Sequence, residues 1–162
     1  MTDKKIKIGI GYDIHRLEIG RKLIIGGVLI PYEKGLLGHS DADVLVHAII
    51  DSLLAALALP DIGTLFPDTD NKYKDADSIE LLKEVYGIVN SKGYMISNLD
   101  TNIIAQAPKM MTFIPMMKEV LAKTLNLTLE NISIKAKTKE HLDSVGEGNA
   151  IEAQAIVLLE KM

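Results

Sequence analysis

Asp13 and His15 stand two residues apart at the end of an alternating run, Ile6, Ile8 and Ile10 against Lys5, Lys7 and Gly9. In an extended chain residues i and i+2 project to the same side, so a carboxylate and an imidazole leave the predicted strand together. The chain has 4 histidines, and His15, His39 and His47 all fall in its first third. His47 lies inside a nearly continuous apolar stretch, where an unsatisfied imidazole is costly. Asp13, His15 and His47 supply the two nitrogens and one oxygen of a catalytic zinc site with an open fourth position. Asp51, one helical turn beyond His47, is placed either to orient that imidazole or to take an exposed capping or solvating role. On residue types alone, a core histidine hydrogen-bonded to backbone stands level with the metal reading.

Other groups are less specific. Gly38, His39, Ser40 and Asp41 precede the apolar helix, and free amides at a helix start with a hydroxyl and an imidazole make a phosphate cradle. Alternatively Ser40 is the N-cap of a capping box that Asp43 completes. Asp61 with Asp68, Thr69 and Asp70 forms a loop that binds hydroxyls or a cation, or else a solvated acidic turn. Lys109 falls at a predicted helix start, where the dipole disfavours a cation, a weak pointer to a ligand. Glu140, in Thr138-Lys139-Glu140, could hold a hard cation against phosphate oxygens, and Gly146-Glu147-Gly148 closes the following loop.

These residues need elements to carry them. With 162 residues, 48% hydrophobic and 25% charged, the chain suits one soluble globular domain over 1–162. Strands are expected over residues 5–12, 94–106, 132–138 and 150–159, with a hairpin over 22–31 around Gly26-Gly27. Helices are expected over 41–59, stopped by Pro60, over 76–91, with Gly93 as C-cap, and from 108 to 125, where Pro115 should kink the first turns. Residues 61–74 read as irregular loop. The fold class is α/β (α+β), a single domain with a mixed sheet covered by helices. A net charge of −4 without a basic block gives no support to nucleic-acid binding. Cysteine is absent, so any metal must use His and carboxylate ligands. The N-terminus runs straight into the first strand, leaving no room for a targeting peptide, and no apolar run reaches spanning length. A cytoplasmic location is expected.

The assembled segments resemble one family along essentially the whole chain, the 2-C-methyl-D-erythritol 2,4-cyclodiphosphate synthases of the non-mevalonate isoprenoid pathway. They are residues 11–15 (Gly-Tyr-Asp-Ile-His), 24–28, 31–44 (through Gly-His-Ser-Asp-Ala-Asp-Val), His47, 61–63, 66–70, 76–78 (Ala-Asp-Ser), 92–94 and 103–110. The resemblance implies one zinc ion per subunit on Asp13, His15 and His47, and Mg²⁺ or Mn²⁺ on Glu140 with the substrate diphosphate. It implies a cytidine diphosphate ester of methylerythritol carrying a 2-phosphate, whose attack on the β-phosphorus forms a cyclic diphosphate and expels CMP. His39 and Thr138 match positions that stabilise the transition state, and Ser40 a phosphate contact. Asp61, Ile62, Gly63, Phe66, Pro67, Asp68, Thr69 and Asp70 match the methylerythritol pocket. Ala105, Gln106, Ala107, Pro108, Lys109, Met110 and Met111 match the cytidine segment, supported by Lys137 and Lys139. A homotrimer, with sheets around its threefold axis and active sites between subunits, is also implied.

One stretch departs from the family. Many members continue through Gly-Phe-x-Gly-Arg-x-Glu-Gly, whereas residues 140–148 here are shorter by two residues and lack the Phe and the Arg. In the family that Arg faces the cavity on the trimer axis, so weak or absent binding of isoprenoid diphosphates is expected here. Lys137 and Lys139 are more basic than the threonines common beside Thr138. Two other functions fit the residues: a metal-dependent phosphohydrolase using activated water, and a non-catalytic zinc-bound trimeric scaffold.

Overall fold

The computed structural model describes residues 5–162, and the expectation for the extreme N-terminus falls outside them. The elements run β1 (Ile6–Ile19), β2 (Leu23–Ile25), β3 (Val28–Ile30), β4 (Lys34–Leu36), α1 (Val44–Ala56), α2 (Ile62–Leu65) and α3 (Ser78–Ser91). They continue as β5 (Tyr94–Ile104), α4 (Ile114–Leu125), β6 (Ile132–Lys137), α5 (Asp143–Gly146) and β7 (Ala150–Lys161). Among the described residues, five strands form one sheet in the order β4-β1-β7-β5-β6. Only the β5–β6 pair is parallel within it, so the expected mixed sheet is present. A register shift between Ile96 and Asn98 moves the buried face of β5 from Tyr94 and Ile96 to Leu99, Thr101 and Ile103.

β1 does not stop at Tyr12. It stays paired with β7 to Arg16 and then gains β4, where Leu17 faces Leu36. The alternation also has the opposite sense from its simplest reading. Ile8 and Ile10 are 69% and 67% exposed, whereas Gly9 and Gly11 are buried. The reason is the closeness of α1. A Cβ at Gly9 would lie 1.9 Å from the carbonyl oxygen of Ser52, and one at Gly11 1.8 Å from that of Ala48. Strand backbone rests on helix backbone there, and no side chain fits between. The helices therefore cover one face of the sheet, while Ile8, Ile10, Tyr12, Ile14 and Ile156 stand on the other.

α1 is buried almost all round, with Leu45, Ile49, Ile50, Leu53 and Leu54 fully enclosed, each contributing about 1.5–3 kcal/mol of burial. It starts at Val44 rather than 41, and its N-cap is Asp43, not Ser40. The Asp43 carboxylate accepts from Val46 N at 3.1 Å and from Gly26 N and Gly27 N at 2.9 and 2.7 Å. That bond set ties the β2–β3 turn, both of whose glycines have positive φ, to the helix start. It also occupies one amide of the helix start, Val46 N, and Ser40 Oγ accepts from Ala42 N. At the other end α1 closes at Leu57, before Pro60. The 61–74 loop contains α2 and a 3₁₀ turn over Asn71–Tyr73. Gly93 follows the α3 cap, Lys92, with φ +83°.

α4 begins at Ile114 with Pro115 in its first turn, where a missing N–H costs nothing, so Pro115 starts the helix and does not kink it. Lys109 consequently lies in the preceding loop, and the conflict with a helix dipole disappears.

Replacing Gly11 by Ala is expected to push α1 off β1 and to destabilise the fold by about 3 kcal/mol or more. Gly87→Ala, in α3 with nothing within 4 Å of the added Cβ, should stabilise it by about 0.5–1 kcal/mol. Urea unfolding midpoints of the two variants check this, and equal midpoints would contradict the backbone contact.

Candidate metal centre and flanking cavities

Asp13 and His15 continue the glycine face of β1, so they point at α1. The strand passes Ala56 and Ser52 at Gly9 and Ala48 at Gly11, and the residue before Ala48 on the helix is His47. Three donor atoms converge there. Asp13 Oδ2 lies 2.8 Å from His15 Nε2 and 3.2 Å from His47 Nδ1, and the two nitrogens are 3.2 Å apart. Tetrahedral donors with metal bonds of 2.0–2.1 Å stand about 3.3 Å from one another. The spacing and the donor set fit a divalent metal. His15 Nδ1–H donates to Leu37 O at 2.9 Å, which leaves the Nε2 lone pair for the centre. Gly38 permits this, since a Cβ there would meet His15 Cε1 at 3.2 Å.

The centre is electrostatically coupled. Burial alone would raise the Asp13 pKa, but hydrogen bonds from His15 and His47 outweigh it and pull the value down to about 2. Burial would likewise lower that of His15, yet the Asp13 bond and charge, with Leu37 O, carry it above the ordinary imidazole value.

A cavity of about 220 Å³ opens beside these three residues. The structure brings His39, Ser40, Ile62, Gly63, Phe66 and Asp68 to its walls, together with Gly38, Tyr73 and Leu81. His39 Nε2–H donates to Asp70 O at 3.3 Å, linking the two loops. Asp61 does not line the cavity and caps α2 through Thr64 N and Oγ1 at 3.0 and 2.7 Å. Pro67, Thr69 and Asp70 shape the loop without lining the cavity, and the Asp70 carboxylate accepts from Lys72 N.

A second cavity, of about 180 Å³, gathers Ala105, Gln106, Pro108, Lys109, Met110, Met111, Lys137 and Thr138, with Ala107 in the same loop. Within one chain it is separate from the first. Glu140 is exposed at its edge, its amide donating to Thr138 Oγ1 at 3.3 Å. Lys139 is not on that wall. Its Nζ lies 3.0 Å from Asp143 and 3.1 Å from Glu152, whose other oxygen accepts from Tyr12 OH.

Of the two roles open to Asp51, the hydrogen bonds favour capping over orienting His47. Asp51 Oδ1 accepts from Ile62 N at 2.8 Å, because the start of α2 offers an amide in need of a partner. The groups that do reach His47 Nε2 are Ser78 Oγ at 2.8 Å and Ser40 Oγ at 3.2 Å. Ser78 lies inside a matched segment, but a serine after two ordinary residues carries no signal of its role. Arg21 is equally silent in the sequence. Its guanidinium donates to Leu36 O, Gly38 O and Ser40 O, which holds the loop that carries His39.

Residues 6–160 match the YgbB family. The chain is 58% identical over 154 residues to the 2-C-methyl-D-erythritol 2,4-cyclodiphosphate synthase of Clostridioides difficile (strain 630), across 95% of this chain and 96% of the relative. The bifunctional IspDF from Campylobacter jejuni is similar with a TM-score of 0.93 and 40% identity, over 97% of this chain and 42% of that one. IspF of Plasmodium falciparum, solved as a CDP complex, gives a TM-score of 0.87 at 38% identity over 99% of both chains.

In the metal-free protein the Asp13–His15 pair ties stability to pH. The depressed Asp13 stabilises the fold above its unfolded value, about 4, and loses this as pH falls towards 2. The raised His15 stabilises it below about 6.5 and loses this as pH climbs through the raised value. Thermal melts of chelator-treated protein should show a contribution on the order of 2 kcal/mol between about pH 4 and 6.5, and Asp13→Asn should remove it. Coincident melting profiles of variant and wild type across that window would show that the pair does not form.

Proposed function

The chain belongs to the YgbB family, and on that premise we propose that it is a 2-C-methyl-D-erythritol 2,4-cyclodiphosphate synthase, a cyclising phosphorus–oxygen lyase of isoprenoid precursor synthesis. Residues 1–162 are read as its single domain, working in the cytoplasm. In the reaction, an oxygen of the substrate's 2-phosphate forms a bond to the β-phosphorus. The bond from that phosphorus to the bridging oxygen breaks, and CMP leaves with the bridge. No water is consumed.

Bringing two anionic phosphates into line is a problem of positioning and charge neutralisation. Asp13, His15 and His47 would hold a zinc ion, which when bound supplies Lewis-acid polarisation and a template for phosphate oxygens. Glu140, one exposed carboxylate, suits Mg²⁺ or Mn²⁺ shared with a diphosphate. Ser40 contacts a phosphate from the cavity wall, while His39 and Thr138 stabilise charge in the transition state. The 61–70 loop receives the methylerythritol, and the 105–111 loop with Lys137 receives the cytidine. Lys139, already paired with Asp143 and Glu152, is not assigned to the substrate.

The observation that carries this reading is the convergence of three metal-competent donors on the wall of a cavity lined by His39 and Ser40. The uncovered apolar sheet face supports a homotrimer, since such a patch on a soluble chain marks an association surface. The family resemblance implies that such a trimer joins the Thr138 cavity of one subunit to the metal cavity of the next.

Two experiments test the proposal. Chelator-stripped enzyme is expected to release CMP together with a cyclic diphosphate, followed by phosphorus NMR, only when Zn²⁺ and Mg²⁺ are restored. A linear, hydrolysed product would instead establish a phosphohydrolase, and metal binding without turnover a scaffold. Ile10→Asp is expected to give a folded monomer in sedimentation with turnover reduced at least a hundredfold. A fully active monomer would overturn the shared site.

A further inference from the structure

Ser78 is fully buried at the start of α3, far in sequence from the metal centre, and its hydroxyl stands between two groups. On one side its oxygen lies 2.8 Å from His47 Nε2. On the other it makes a short hydrogen bond to the carboxylate of Asp41. That carboxylate also accepts from the amides of Asp43 and Ser78, each at 3.1 Å, so it meets the hydroxyl as an acceptor.

We propose that Asp41 and Ser78 are positioning residues that fix the proton of His47 on Nε2 and thereby present Nδ1 to the metal. The proposal rests on the reading of Asp13, His15 and His47 as a metal centre. Hydrogen counting carries it. The Ser78 hydroxyl hydrogen goes to Asp41, so the oxygen has only lone pairs left for His47, and Nε2 must be the donor. A neutral imidazole with its hydrogen on Nε2 keeps the lone pair on Nδ1, the atom that faces Asp13 and His15. His15 is set the opposite way round by Leu37 O, so each histidine is held by a different acceptor with its free nitrogen towards one point.

The same proton constrains Ser40. Its oxygen accepts from Ala42 N, and Nε2 at 3.2 Å has no lone pair left to accept from it, so its own hydrogen is free for the cavity that Ser40 lines. There it can donate to an anionic oxygen. One half-buried aspartate thus sets the polarity of a metal ligand and of a neighbouring hydroxyl.

The test measures Zn²⁺ affinity of full-length wild type, Ser78→Ala, Asp41→Asn and Asp13→Ala by competition with a chromophoric chelator, with metal-free thermal melts as the folding control. In parallel, ¹⁵N NMR of the metal-free wild type, at a pH where the imidazole is neutral, assigns the His47 tautomer. We expect a hydrogen on Nε2 in the wild type and a loss of affinity of about 10- to 100-fold in Ser78→Ala. Asp41→Asn should lose at least as much, because an amide donor beside Ser78 turns its hydroxyl towards Nε2 and moves the imidazole hydrogen to Nδ1. Native affinity in both folded variants, or an Nδ1–H signal in the wild type, overturns the proposal while leaving the metal centre intact. Wild type that binds no zinc, or binds it equally without Asp13, overturns the metal reading and this inference with it. Should either variant fail to fold, the wild-type tautomer still decides.

Discussion

The contact on which the rest depends is backbone against backbone. Gly9 and Gly11 let β1 lie directly on α1, at a separation where even a methyl group would collide with the carbonyls of Ser52 and Ala48. Ordinary sheet–helix packing keeps a layer of side chains between the two. Here that layer is absent for two strand positions and resumes at Asp13 and His15, which are held within hydrogen-bonding distance of His47. The glycines thus act as the spacer of the metal centre. They also settle which face of β1 is inside, sending its isoleucines outward.

Around that contact, the irregular segments are fixed by satisfying backbone groups. Asp43 joins the start of α1 to the β2–β3 turn. Arg21 collects three carbonyls from the loop before the helix, and Asp51 takes the first amide of α2. Asp41 takes the Ser78 amide at the start of α3. Buried or half-buried backbone groups must find partners, and each of these side chains meets that need while drawing a separate stretch of chain towards one cavity. The acidic residues nearest the centre are structural in this sense, although their types invite a reading as ligands or bases.

Much of the centre is legible in the sequence because its logic is periodic. Asp13 and His15 share a side by strand alternation, and His47 interrupts an apolar helix, so residue types and spacing are enough to group the three. The face on which they lie is harder to read. Alternation says which residues are together, and hydrophobicity then assigns the isoleucine side to the core, an inference that fails when glycine is what packs. The cap of α1 is ambiguous for a related reason. Ser40, Asp41 and Asp43 are all good caps, and the choice depends on Gly26 and Gly27, whose amides come from another element. Pro115 reads as an interruption only if the helix is begun too early, at 108. Ser78 and Arg21 act through contacts 31 and 15–19 residues away in sequence, and no local pattern encodes that.

The placement of the three donors also has a kinetic side. All stand on β1 and α1, whose separation would mean opening the central core, the part of a fold that exchanges its amides most slowly. An ion enclosed there leaves only by ligand exchange towards the cavity mouth or by wholesale unfolding. Glu140 is the opposite case, a lone carboxylate on an exposed loop, from which an ion proposed to be shared with a diphosphate would leave with the product. On the proposed function, the architecture would divide the two sites by lifetime, one resident for the life of the fold and the other renewed with every turnover.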